Sequence, residues 1–252
     1  MPVYDSKSQF AQELVGVHLF HYALSNCSQR CRLMLELKEI DWSSHHIDLP
    51  QKQHLDPAYT DINPHALVPS LVHDGVVILE SNDIIAYIES EFPGQRLTPE
   101  DDSEQLVSDK LIELSSSVQG SIKTLSHEYL FKARRQQITH ADIDDMIALG
   151  KNTDVTDFLR DYVHDGLEWR RRLALAEYEI ETTLDCLEAR LAHTSGFLSG
   201  PQYGLADVSW SVNYYRLHQC GYEMLGSPKV SEWGMRIISI PAFYRAVIDY
   251  RP

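Results

Sequence analysis

Long apolar runs are missing from this chain: across its 252 residues no stretch approaches the ~20 consecutive apolar residues of a membrane-crossing helix, so a membrane partner is not expected. Cysteine is scarce. The four thiols, Cys27, Cys31, Cys186 and Cys220, fall at no spacing that makes a disulfide framework, and a chain of this length buries enough surface without one. Basic charge is also short. With 22 Lys and Arg against 37 Asp and Glu, net −15, no positive surplus exists to neutralise phosphates, and a nucleic-acid partner is not expected. No charged-then-apolar leader opens the chain, so a reducing cytoplasm is the expected location. Twelve histidines invite a metal, yet His45 and His46 are adjacent rather than a helical turn apart, and no Cys and His cluster has zinc-site spacing. No metal site is expected.

What the chain does carry is concentrated early. Ser25, Asn26 and Cys27, followed by Arg30 and Arg32, come just after the apolar run Val17 to Tyr22. Leu33, Met34, Leu35 and Leu37 are strong helix formers, so a helix is expected from Asn26 to Lys38 with Cys27 in its first turn. Unpaired N–H groups and the positive dipole end point there, a setting that stabilises a thiolate. The same residues also fit a plain Ser25 cap and a buried Cys27, Cys31, Met34 stripe.

Two further motifs add to the first. Asn63 to Leu71 sets Pro69 directly before a new apolar strand; a cis bond there would hold Val68 out of the sheet ladder, with its N–H and C=O free for an extended peptide ligand. A hairpin, Ser70 to Leu79 with its turn at His73, Asp74 and Gly75, then leads to Glu80, Ser81 and an amphipathic helix to Phe92. Backbone amides and a hydroxyl at such a helix start bind a carboxylate, and Glu80 is suited to an α-amino group. A plain cap by Ser81 is the alternative.

The order strand, helix, strand, helix, hairpin, helix, with these motifs, resembles the thioredoxin-like half of a glutathione transferase. The run Ser25 to Leu33 is similar to the zeta-class signature, with Asn26 in place of a second serine, and more similar still to the tetrachlorohydroquinone dehalogenases, in which a serine and a cysteine flank one residue. The resemblance implies glutathione as cosubstrate. It implies that Ser25 hydrogen-bonds the glutathione sulfur and that Cys27 forms a mixed disulfide. Val68, placed by Pro69, would pair with the cysteinyl unit, Glu80 and Ser81 would clamp the γ-glutamyl end, and His54 would stand near the glycyl carboxylate where the zeta pattern has glutamine. An exposed loop histidine is the other reading of His54.

Past Phe92 the strand signal ends. The expected organisation is an extension over 1–16, a thioredoxin-like α/β domain over 17–92, a linker over 93–102 and an all-α bundle over 103–252. Apolar residues from Val107 to Tyr129 and from Trp169 to Leu191 recur every three or four positions and predict two long facing helices. Between them an acidic, weakly periodic insertion from Gln136 to Asp165 reads as a surface excursion or a cover over the acceptor pocket. Gly200 to Asp207 resembles the capping box of the family's buried sixth helix, with Gly204 where Ser or Thr usually caps; Asp207 is therefore expected to lack a reciprocal hydroxyl.

The functions in view are transfer of glutathione to a small, aromatic electrophile, with reductive dehalogenation of a chlorinated hydroquinone as the sharpest form and detoxification as its setting. Zeta-like cis/trans isomerisation is an alternative. So is β-aryl ether cleavage, since Leu167 to Arg172 resembles a stretch of bacterial β-etherases. A non-catalytic transferase-like binding module is the alternative of another class. A homodimer is implied by the family.

Overall fold

The computed structural model describes residues 3–148, 153–222, 224 and 226–251. Its N-terminal half is built on strands β1 (Val3–Tyr4), β2 (Val17–His21), β3 (Ser43–His46), β4 (Ser70–His73) and β5 (Val76–Ile78), in the sheet order β1-β5-β4-β2-β3. β3 runs parallel to β2, and the other neighbours are antiparallel. Helices α1 (Gln9–Gln12), α2 (Asn26–Leu37), α3 (Pro57–Thr60) and α4 (Ser81–Glu91) cover it.

The two-residue period of the strands sorts side chains into two buried layers. Leu19, Leu71 and Ile78 point to one face, against Leu33 and Met34 of α2 and Ile84 and Ile88 of α4. Phe20, Val72 and Val77 point to the other, against Ala11 and Tyr59. At roughly 1.5–3 kcal/mol for each fully buried aliphatic or aromatic side chain, these layers fix the sheet register.

The first sixteen residues are more than a leading extension. β1 pairs with β5, Val3 opposite Ile78 and Tyr4 opposite Val77, and Ala11 is fully buried. Alternation over two residues is too short a signal to read, which is why this edge strand was invisible in the sequence.

The C-terminal half is all helical: α5 (Asp102–Ser117), α6 (Gln119–Leu125), α7 (His140–Ala148), α8 (Thr153–His164), α9 (Leu167–Ala192), α10 (Leu205–Gln219), α11 (Pro228–Ile238) and the short α12 (Pro241–Phe243). A thioredoxin-like domain followed by a helical bundle is thus the architecture. The first of the two long helices is interrupted, however. Val118 leaves helical geometry, and Ser115 C=O accepts from the side chains of Gln119 (2.9 Å) and Asn213 (3.3 Å). Polar side chains inserted at a poor helix-forming run, Ser115 to Val118, account for the break.

The expected insertion is also structured. Phe158 and Tyr162 of α8 pack on Trp169, with ring centroids 5.5 and 4.9 Å away, and Trp169 Nε1 donates to Glu128 at 2.8 Å. That half belongs to the core of the helical domain. From α7, Asp142 reaches back to Lys52 at 2.9 Å, across to the loop that carries His54. Residues 149–152 of this segment lie outside the described residues.

Candidate active site

Strand direction brings the early motifs to one edge of the sheet. β2 and β3 are parallel and end at the same edge, and β4, antiparallel to β2 with Phe20 opposite Ser70, begins there. Ser25 follows β2, the His54 loop follows β3, and Val68 precedes β4. Ser81 joins them through α2, because its Oγ accepts from Arg30 Nη1 at 2.8 Å.

Ser25 is the N-cap of α2, in extended geometry, and its Oγ accepts from Ser28 N–H at 3.3 Å. The hydroxyl proton has no acceptor among the described residues, so it remains available to a ligand atom at the helix N-terminus. Cys27 is half-buried and faces the helical domain, its thiol 3.8 Å from Gln119 Oε1. Cys31 differs: it is fully buried, and desolvation pushes its thiol well above the ordinary range, which marks it as a packing residue.

The Val68–Pro69 bond is cis. The β4 ladder starts at Ser70, leaving half-buried Val68 outside it. The loop is held from behind, where Leu67 C=O accepts from Tyr59 Oη and from Asn63 Nδ2 at 2.8 Å. Glu80 stands at the start of α4 with φ +62°, a conformation that non-glycine residues adopt rarely, and its carboxylate is exposed. Ser81 is 6 % exposed. It is not the helix cap; Glu80 occupies that place without a capping hydrogen bond from its side chain.

His54 lies in a single 3₁₀ turn, Gln53–Leu55. Burial lowers its pKa against the raising effect of Asp56, so it is neutral near pH 7, and its buried Nδ1 has no partner. His54 is thus half-buried, not the exposed loop histidine of the alternative reading.

Residues outside the early motifs meet Asn26, Cys27 and Arg30 from the helical domain. Asn213 of α10, fully buried, offers Oδ1 to Asn26 Nδ2 (2.6 Å), Gln119 Nε2 (2.9 Å) and Arg30 Nη2 (3.4 Å). Arg30, 1 % exposed, also donates to Ser209 C=O at 3.1 and 3.3 Å. The asparagine at position 26, where the zeta pattern has serine, thus ties the first turn of α2 to the helical domain. Gln119, held by Asn213 and Ser115, aims its carbonyl at Cys27. Arg216, one turn along α10 from Asn213, donates from Nη2 to Leu24 C=O at 2.7 Å, directly before the cap. Only the spacing Asn213 to Arg216, one helical turn on a face of α10, carried any signal of this in the sequence.

A serine cap at a strand-to-helix turn, a cis proline before the antiparallel strand and a second helix start tied to the first are brought together here over a two-domain fold. The N-terminal domain model of glutathione S-transferases matches residues 19–96, and the C-terminal domain model matches residues 158–235. Glutathione S-transferase Z2 of Arabidopsis thaliana is 31 % identical over 236 residues, covering 93 % of this chain and 92 % of that protein. The chain belongs to the glutathione S-transferase family. A maleylacetoacetate isomerase of Pseudomonas aeruginosa is 26 % identical over 231 residues, covering 90 % of this chain and 94 % of that one. Among solved structures, the β-etherase LigF of Sphingobium sp. strain SYK-6 superposes with a TM-score of 0.82 over 94 % of this chain and all of the other, at 20 % identity, a likeness of fold.

In this transferase the sixth-helix motif departs from expectation. Asp207, fully buried, accepts from Leu198 N (2.8 Å), Ser199 N (3.1 Å), Gly204 N (3.1 Å) and Trp233 Nε1 (2.8 Å). The capping hydroxyl is not missing. Ser199 Oγ accepts from Ala206 N at 3.1 Å and supplies from a neighbouring loop what Gly204 cannot. Asp207 supports the helix start, as expected, but with its hydroxyl partner displaced in sequence.

Proposed function

We propose that this protein is a glutathione-dependent transferase that binds glutathione along the shared sheet edge and directs its thiolate at a small aromatic electrophile. Ser25 donates its hydroxyl to the glutathione sulfur, Val68 pairs with the cysteinyl unit, Glu80 and Ser81 hold the γ-glutamyl end, and His54 hydrogen-bonds the glycyl carboxylate. The observation that carries this reading is the Ser25 cap: an O–H with no acceptor among the described residues, at a helix N-terminus. A thiol of pKa about 8.5 is only about 3 % ionised at pH 7, and lowering it by two units takes about 2.7 kcal/mol. One charge-assisted hydrogen bond and a helix terminus supply a sum of that size.

Cys27 gives the reading its sharper form, reductive dehalogenation of a chlorinated hydroquinone. Glutathione sulfur bonds to the carbon bearing chlorine, and chloride leaves with the electron pair. Cys27 thiolate then attacks the glutathionyl sulfur; the carbon–sulfur pair passes to carbon, which takes a proton, and a Cys27–glutathione disulfide remains. A second glutathione thiolate releases Cys27 and leaves as glutathione disulfide. The half-buried thiol turned to the helical domain supports this role.

A cis/trans isomerase is the second reading, favoured by the maleylacetoacetate isomerase relative that covers nearly the whole chain. Intact mass after incubation with glutathione and a chlorinated hydroquinone separates them. A glutathione adduct on wild type and none on Cys27→Ser, which stalls at the conjugate, is the expected result. Glutathione binding without an adduct would move the reading to a Ser25-dependent transferase or isomerase. A homodimer and a cytoplasmic setting belong to the same proposal.

A further inference from the structure

Arg216 is 5 % exposed, yet no carboxylate among the described residues lies within ion-pair distance of it. Nε donates to Gln219 Oε1 at 3.2 Å and Nη2 to Leu24 C=O at 2.7 Å, while Nη1 has no acceptor among the described residues. A nearly buried guanidinium without a counter-charge is costly to hold. Arg134, half-buried, likewise has no carboxylate partner among the described residues. Both guanidiniums approach one ring: the Cζ atoms of Arg134 and Arg216 stand 4.6 and 5.4 Å from the centroid of half-buried Phe131.

The surroundings do not neutralise the pair. Glu128, the nearest acid in sequence to Phe131, is committed to Lys132 and Arg135, both at 2.6 Å. His127, edge-on to Phe131 at 5.9 Å, is pushed down to about 4, chiefly by burial, with a backbone hydrogen bond opposing and the charges of Lys123, Arg134 and Arg216 adding to the fall. It contributes no competing charge near pH 7. In a chain of net charge −15 this positive spot stands at the head of α2, where Arg216 Nη2 holds Leu24 C=O at 2.7 Å, three residues before Cys27.

We propose that the acceptor bound beside Cys27 is an aromatic carboxylate, held by Arg216 and Arg134 with its ring against Phe131. A planar guanidinium pairs a carboxylate with two parallel N–H···O bonds and stacks on aromatic faces, which is the combination these three side chains offer. The proposal deepens the transferase reading and rests on it for the side of the cleft that the acceptor occupies.

The test is calorimetric titration of 4-chloro-3-nitrobenzoate and, separately, 4-chloro-3-nitrobenzamide into the protein with and without saturating S-methylglutathione, whose blocked sulfur prevents reaction. The two probes differ in charge and hardly in shape. Wild type is expected to bind the benzoate at least tenfold more tightly, with the preference abolished in Arg216→Gln, reduced in Arg134→Gln and partly restored in Arg216→Lys. Should Arg216→Gln fail to fold, the half-buried Arg134 carries the test. Equal affinities, undetectable benzoate binding, or a preference that survives both Gln variants would overturn the proposal. Failure of S-methylglutathione to bind would count against the transferase reading instead, and the benzoate titration without it still reads the arginine pair.

Discussion

Restoring a serine at Gly204, the change that a family comparison invites, is expected to destabilise the protein. By sequence reasoning the substitution supplies a missing N-cap hydroxyl, worth a few tenths of a kcal/mol over glycine. The backbone raises no objection, since Gly204 is extended, with φ −148° and ψ −168°. Space does. A Cβ on residue 204 would stand 2.5 Å from Leu97 O and 2.6 Å from both Cβ and Oγ of Ser199. Leu97 C=O already accepts from Leu205 N at 2.9 Å, so retreat of that carbonyl costs a second hydrogen bond. Overpacking of this kind costs about 1–3 kcal/mol, and 2 kcal/mol lowers the melting temperature of a chain this size by about 4–8 °C.

The Ser199 hydroxyl allows a stricter test. Ser199→Gly alone removes the acceptor of Ala206 N, a loss of about 1 kcal/mol. In the double variant Ser199→Gly, Gly204→Ser two of the three close contacts vanish and a hydroxyl returns at the helix start. The pair is therefore expected to be more stable than the sum of the single effects by at least about 0.5 kcal/mol. Urea unfolding followed by tryptophan fluorescence and far-ultraviolet circular dichroism measures each variant, coincidence of the two curves being the condition for a single unfolding free energy. A Gly204→Ser protein as stable as wild type, or strict additivity in the double variant, would refute the reasoning.

Two further predictions concern the packing behind the site. His21 is fully buried and its pKa is lowered to about 3, by burial first and then by Arg32, His46 and His45. Because the unfolded imidazole titrates near 6.5, the unfolded chain binds a proton between about pH 6.5 and 3 that the folded one refuses, and stability falls as pH falls through that window. From pH 7 to 5, wild type should lose about 2 kcal/mol more than His21→Gln; matching slopes in urea titrations at the two pH values would show that His21 is not the cause. Asn213→Leu strands Asn26 Nδ2 and removes one of two acceptors from Gln119 Nε2 and Arg30 Nη2, which keep Ser115 and Ser209 C=O, and is expected to cost about 1–3 kcal/mol. Asn26→Ala should then cost less in that background than in wild type, and an unchanged cost would mean that the Asn26–Asn213 bond contributes nothing.

Local chemistry was legible and long-range pairing was not. The α2 start was readable because Ser25 is a capping residue ahead of a run of helix formers, and the hairpin because His73, Asp74 and Gly75 punctuate two apolar runs. Arg30 and Arg32 were readable only as charges in a signature. Their burial depends on carbonyls that follow them by 179 and 214 residues, at Ser209 and Ala246. The Ser199 hydroxyl shows the same limit from the other side: the capping function that Gly204 lacks is present in space, displaced in sequence, and a motif read along the chain counts it as lost. The site itself is divided this way. Ser25, Cys27, Val68, Glu80 and Ser81 announce the half that meets a peptide-like cosubstrate, because backbone pairing and helix starts have local signatures. Gln119, Phe131, Arg134, Asn213 and Arg216, the half proposed to face the acceptor, come from three separate segments of the helical domain with no shared motif. A family can therefore keep the first set legible while the second changes, and acceptor choice has to be sought where this chain places an uncompensated guanidinium pair against an aromatic ring.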